Sequence, residues 1–145
     1  MQIVAAGAQD RAKWLPLWRA YLDFYRQPLP DEVTDATFAR CLDPASDMQL
    51  RLAIADEQAI GFALCVFHLS SWARIGYCYL EDLFVSEAAR GKGAGHALIE
   101  AVADAAKLRG CERLYWVTQE GNIRARALYD RVAEKNDFVT YVKAL

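Results

Sequence analysis

Three short segments of this chain combine residue types whose spacing suits chemistry. The first is Arg90-Gly91-Lys92-Gly93-Ala94-Gly95. Glycines let backbone N–H groups come close to an anion with no side chain in the way. A helix starting here would add unpaired N–H donors and the positive end of its dipole. Such a turn suits the cradling of a pyrophosphate, with Arg90 and Lys92 supplying positive charge at the rim. The second segment is Asn122-Ile123-Arg124-Ala125-Arg126-Ala127-Leu128-Tyr129. On a helix, Asn122, Ala125 and Tyr129 share one face. A small residue between two polar ones leaves room for a thin ligand, with a phenol at its far end. Asn122 would equally serve as a plain helix cap. The third segment is Glu81-Asp82, two carboxylates inside an apolar run. They could attract a cation or accept a proton.

Spacing excludes two nucleotide-loop readings. A phosphate-loop NTPase needs Gly-Lys-Ser/Thr, and Gly91-Lys92 is followed by Gly93. The dinucleotide fingerprint needs G-x-G-x-x-G, whereas Gly91, Gly93 and Gly95 read G-x-G-x-G. Cys41, Cys65, Cys78 and Cys111 form no C-x-x-C pair, and His68 and His96 have no ligand-like spacing to them, so no metal site is expected. The cysteines read as reduced, mostly buried thiols. A net charge of −2 announces no nucleic-acid partner. No signal-like N-terminus and no membrane-length apolar stretch is visible, so a soluble, cytoplasmic protein is expected, with no membrane partner.

The elements that must position these segments follow from periodicity. The 145 residues suit one domain over 1–145. A short strand is expected at residues 2–6. A helix capped by Asp10 then runs through Trp14, Leu17, Trp18, Tyr21, Leu22 and Tyr25, stopped by Pro28 and Pro30. Thr34 is expected to cap a second helix ending near Leu42. Strands are expected at 50–55, 59–67 and 76–85, a long helix at 93–109 with Leu98, Ala101, Val102, Ala105 and Leu108 on its apolar face, and a strand at 113–118. A helix at 123–132 and a last strand at 138–144 complete the order. The class is α/β (α+β), a mixed sheet with helices on both faces.

With the motifs in these contexts, the chain resembles GNAT-superfamily N-acetyltransferases. Arg90-x-x-Gly93-x-Gly95 is similar to that family's pyrophosphate signature, Gln/Arg-x-x-Gly-x-Gly/Ala. Leu83-Phe84-Val85 resembles the strand beside the pantetheine arm, and the Asn122-to-Tyr129 run resembles Asn-x-x-Ala-x-x-Leu/Phe-Tyr. Two signatures in the expected order are far more specific than either alone. The likeness covers residues 76–145 well and the first half only in element order. It departs after Tyr129: many relatives continue Tyr-x-x-x-Gly-Phe, whereas here a longer turn without that glycine, Val132 to Asp137, precedes Phe138.

The resemblance implies the acyl-CoA N-acyltransferase fold, with a mostly antiparallel sheet of six to seven strands. It implies acetyl-CoA as cosubstrate, held by Leu83, Phe84, Val85, Arg90, Gly91, Lys92, Gly93, Ala94, Gly95, Asn122, Ala125 and Tyr129. Transfer would proceed by direct attack of an amine in a ternary complex. Only about one primary ammonium in a thousand is neutral at pH 7, so a base is useful. Glu81 is the candidate, expected to share a strand face with Leu83 and Val85; a solvated strand carboxylate is the alternative. Tyr129 would protonate the leaving thiolate; its reference pKa of about 10, above the ~8.5 of a thiol, keeps the phenol protonated at neutral pH. Asp82, Tyr25 and Trp116 are the further candidate acceptor contacts, Asp82 in a structural or rim role. Tyr79-Leu80-Glu81-Asp82-Leu83-Phe84-Val85 resembles the corresponding strand of diamine and polyamine acetyltransferases, which implies a small amine or polyamine acceptor. A protein lysine or N-terminus is the alternative substrate, and a non-catalytic acyl-CoA-binding module the alternative class. Similar proteins are usually homodimers.

Overall fold

The computed structural model describes residues 1–145. One five-stranded sheet, in the order β1-β2-β3-β4-β5, is built from β1 (Gln2–Ala5), β2 (Met48–Ala55), β3 (Gln58–His68), β4 (Tyr77–Val85) and β5 (Leu114–Tyr115). Neighbours from β1 to β4 are antiparallel, and β4 and β5 are parallel. The helices are α1 (Arg11–Phe24), α2 (Asp31–Leu42), α3 (Ala94–Leu108) and α4 (Ile123–Val132). α1 and α2 cover one face of the sheet through Trp14, Trp18, Phe38, Leu50, Leu52, Phe62 and Leu64. α3 covers the other through Leu98, Ile99, Val102 and Ala106, against Ala63, Cys65, Cys78 and Leu80. Leu108 is exposed, so the apolar stripe of α3 runs 98, 99, 102 and 106 rather than out to 108.

Several expectations need correction. Thr34 does not cap α2, which begins three residues earlier, just after Pro30. It is buried and accepts a hydrogen bond from Trp18 Nε1 at 2.9 Å, tying α2 to α1. Asp10 precedes α1 without capping it; its carboxylate accepts from the Gly7 N–H at 2.9 Å. The sheet has five strands, not six to seven. The expected strand at 113–118 pairs only as Cys78↔Leu114 and Tyr79↔Tyr115, because β4 and β5 diverge beyond that point. The run 138–144 has strand-like composition but forms no strand. So short a β5 offers it no ladder, and Phe138, Val139, Tyr141 and Val142 stay 70% exposed or more.

The pairing of β3 with β4 contains the irregularity that matters for function. Leu64 faces Asp82, and Cys65 faces Leu80. Glu81 is the unpaired extra residue of a β-bulge, which re-aims side chains along a strand. As a result Leu80 and Leu83 both pack towards α3, while Asp82 and Phe84 turn towards α1.

Candidate active site

Where β4 and β5 splay apart, a cleft opens with two lobes that meet at Tyr21, Tyr25, Leu83 and Tyr129. The first lobe, about 370 Å³, runs along the end of β4, the glycine-rich loop and one face of α4. The second, about 360 Å³, is lined by Glu81, Leu80, Trp116, Val117, Thr118, Gln119 and Thr140 beyond the shared residues.

The glycine-rich loop owes its shape to two left-handed residues. Gly91 and Gly93 have φ of +80° and +85°, and a Cβ built at either meets nothing within 4 Å. The backbone there faces open cleft rather than packed protein. Gly93 starts α3, and no side chain caps that end. The N–H groups of Ala94, Gly95 and His96, all lining the lobe, thus sit in the first turn that a helix cannot satisfy internally. Gly95 has a different cause: a Cβ there would lie 3.0 Å from Leu128 Cδ2, so its smallness lets α4 approach α3. Arg90 is fixed rather than mobile. Its Nε donates to the Val85 carbonyl at 3.0 Å, and its guanidinium lies 5.8 Å from the Phe84 ring centre.

Of the expected cosubstrate contacts, Leu83, Phe84, Val85, Arg90, Gly91, Gly93, Ala94, Gly95, Asn122, Ala125 and Tyr129 line the first lobe. Lys92 is exposed and lies off the lining. Asn122 does cap α4, its Oδ1 accepting from the Ala125 N–H at 3.4 Å. It also faces the lobe, so the two readings of this residue are compatible. His96, Arg124 and Arg131 join Arg90 there. This donor set fits an acetyl-CoA diphosphate: free amides, a glycine cradle with open space before it, and cationic side chains at the mouth.

Glu81, Tyr25 and Trp116 line the second lobe. Burial pushes the Glu81 carboxyl above its ordinary range. Asp82 does not line it. It turns inward behind Tyr21, whose Oη–H donates to Asp82 Oδ1 at 2.5 Å. Burial raises Asp82 to about 6; the Tyr21 hydrogen bond opposes this and the Glu81 charge adds to it. Tyr129 is pushed up to about 12, by burial first and by its neighbour Tyr25 second. Its ring packs edge-on against Trp116 at 5.4 Å. A phenol so placed is fully protonated at neutral pH, at the meeting point of the two lobes.

The sequence motifs missed Tyr21, Phe24, His96, Arg124 and Arg131 as cleft residues, and Thr118, Gln119 and Thr140 with them. Tyr21 and Tyr25 carried a readable signal, two phenols four residues apart on one helix face. The last three come from irregular backbone, which has no periodicity to read.

Comparisons with known proteins give concordant findings. The model of the Acetyltransferase (GNAT) family matches residues 14–133. The chain is 42% identical over 141 residues to the D-amino-acid N-acetyltransferase HPA3 of Saccharomyces cerevisiae, covering 96% of this chain and 88% of the relative. It is 34% identical to the uncharacterized N-acetyltransferase YhfO of Bacillus subtilis, covering 97% and 95%. Among solved structures, AAC(6')-Iy in complex with a CoA-linked bisubstrate analogue superposes with a TM-score of 0.86 at 22% identity, over 99% of this chain and 97% of that one, a likeness of fold.

Proposed function

The chain belongs to the GNAT acetyltransferase family, an acetyl-CoA-dependent N-acetyltransferase acting on amines, and from that premise we propose that it acetylates a small cationic amine, a diamine or polyamine, by direct attack in a ternary complex. The observation carrying the substrate class is the charge of the second lobe. Its charged lining side chain is Glu81, set among Tyr21, Tyr25, Trp116 and Tyr129. Such a surface attracts ammonium groups by charge and by the faces of its rings.

The residues divide the work. Acetyl-CoA supplies the activated acetyl group. The amides from Ala94 to His96 and the cations Arg90, Arg124 and Arg131 hold its diphosphate end. Leu83, Val85 and Ala125, which line the first lobe, would flank its arm. Glu81 draws in the acceptor ammonium and takes its first proton, directly or through water. Tyr129 gives a proton to the departing sulfur as the C–S bond breaks; the transfer runs uphill from a phenol to a thiolate, and one of the protons shed by the acceptor nitrogen restores the phenol.

A second reading has one observation in its favour, the relative named for D-amino acids. A D-amino acid would bring an α-carboxylate into a lobe that already holds Glu81, and like charges repel. The deciding experiment follows thiol release from acetyl-CoA with putrescine, spermidine, several D-amino acids and a lysine-containing peptide, with the products weighed by mass spectrometry. The diamine and the polyamine should give the highest kcat/KM. Turnover confined to D-amino acids, or to the peptide, would overturn the substrate class.

A further inference from the structure

Tyr21 belongs to none of the sequence motifs, yet it lines both lobes of the cleft. Its ring is held by four aromatic neighbours. It stacks on Trp18 at 5.5 Å and meets Tyr25, Phe62 and Phe84 edge-on at 5.1, 5.7 and 6.2 Å. Its hydroxyl hydrogen is committed to Asp82. A phenol oxygen whose hydrogen points one way keeps acceptor capacity for another donor. Tyr21 lines the cleft where the two lobes join, so a ligand there can supply that donor. The β-bulge at Glu81 creates this arrangement, since a regular strand would turn Asp82 to the same side as Leu80.

We propose that Tyr21, backed by Asp82, takes the proton that the acceptor nitrogen sheds as the amide bond forms. The idea rests on the acetyl-transfer reading above. An ammonium that becomes an amide loses two protons. The first leaves before attack and belongs to Glu81. The second leaves as the C–N bond forms and the C–S bond breaks. The N–H bond then breaks and a new O–H forms on Tyr21, while the hydrogen already on Tyr21 passes to Asp82 Oδ1. Tyr129 protonates the sulfur. One of the two shed protons restores Tyr129, and the other goes to solvent, so the reaction releases one proton in all. Tyr21 touches the acceptor; Asp82 acts through it.

The surroundings of Asp82 suit a temporary proton store. Tyr21 and Tyr25 face it from α1, Cys41 from α2, and Glu81 and Tyr79 lie on β4 itself. Burial holds its carboxyl near pH 6, ionised at neutrality yet more basic than an exposed aspartate.

The test separates the two protons by pH. Wild type, Tyr21→Phe, Asp82→Asn and Glu81→Gln are compared in kcat/KM for spermidine from pH 6 to 10, with acetyl-CoA affinity measured by calorimetry as the check of a folded site. Glu81→Gln should lose least at high pH, where more of the amine is already neutral. Tyr21→Phe should lose about 10²-fold or more at every pH, because its proton exists only after attack. Asp82→Asn should follow Tyr21→Phe, with acetyl-CoA affinity within about twofold of wild type in both. A Tyr21→Phe protein that is active within twofold of wild type, or whose deficit shrinks at high pH in parallel with Glu81→Gln, overturns the proposal. Should Asp82→Asn fail to fold, Tyr21→Phe alone decides. A wild-type protein that releases thiol with no amine overturns the acetyl-transfer reading and this role with it, whereas active wild type with unchanged variants overturns this role alone.

Discussion

The two lobes of the cleft are built by different physical means, and on the proposed assignment they would recognise donor and acceptor differently. The first works through backbone: two glycines in left-handed conformation, a helix start without a cap, and cations that match a diphosphate. The second works through side chains from separate places, namely a bulge residue on β4, phenols from α1 and α4, an indole beyond β5 and a threonine near the C-terminus. A backbone site tolerates little variation in residue type, because glycine is fixed by φ. A side-chain site can change its ligand with one substitution and leave the sheet intact. On the proposed assignment, the donor lobe would tolerate few substitutions and the acceptor lobe more.

The largest expected effect tests that division at its strictest point. Gly93→Val puts a β-branched residue at φ +85° and places bulk where the cleft is open. Acetyl-CoA affinity should fall by about 10²-fold or more, a loss of roughly 3 kcal/mol. Calorimetry on the folded variant checks it; unchanged affinity would remove the loop from the donor lobe. Tyr129→Phe, at the boundary, keeps the ring against Trp116 and removes the proton. Its kcat should drop about 10²-fold while acetyl-CoA affinity stays near wild type. Unaltered turnover, measured where chemistry limits the rate, would leave Tyr129 a packing residue.

Glu81→Gln sharpens the contrast from the other side. It should lower kcat/KM for spermidine by about tenfold or more near pH 7 and leave acetyl-CoA binding as it was. A matching loss of acetyl-CoA affinity would mean the lobes are not separate. The smallest effect is on stability. The folded-state carboxyl of Asp82 lies near 6 against an ordinary 3.8. The folded protein thus binds this proton more tightly than the unfolded chain does. The stabilisation it provides is whole below about pH 4 and is lost as pH rises through 6. Asp82→Asn removes that dependence. The variant should gain roughly 2 kcal/mol over wild type at pH 7.5 and almost nothing at pH 4, seen as a Tm difference that closes on acidification. Equal Tm differences at both pH values would show that Asp82 is not held at raised pKa. Greater stability with less activity is the usual signature of a residue kept for function.

How much of this was legible in the sequence follows the same line between backbone and side chain. Arg90 to Gly95 and Asn122 to Tyr129 were readable because each lies on one local element, where spacing fixes geometry. Lys92, on the same loop, is exposed and lies off the lining. The acceptor lobe depends on the bulge at Glu81, which no alternation pattern announces. Glu81 does line the groove beside Leu83, as regular alternation suggested, but it does so as an unpaired residue. The same insertion puts Asp82 behind Tyr21 rather than at the rim. Residues 138–144 have strand composition without forming a strand: a ladder needs a neighbour, and β5 supplies two residues.

The central claim is that donor and acceptor occupy their own lobes together and react where these meet, at Tyr129. Initial rates over a grid of acetyl-CoA and spermidine concentrations test it most directly. Double-reciprocal lines that intersect are the predicted result. Parallel lines, together with an acetylated protein after exposure to acetyl-CoA alone, would indicate a covalent relay through the enzyme and contradict it.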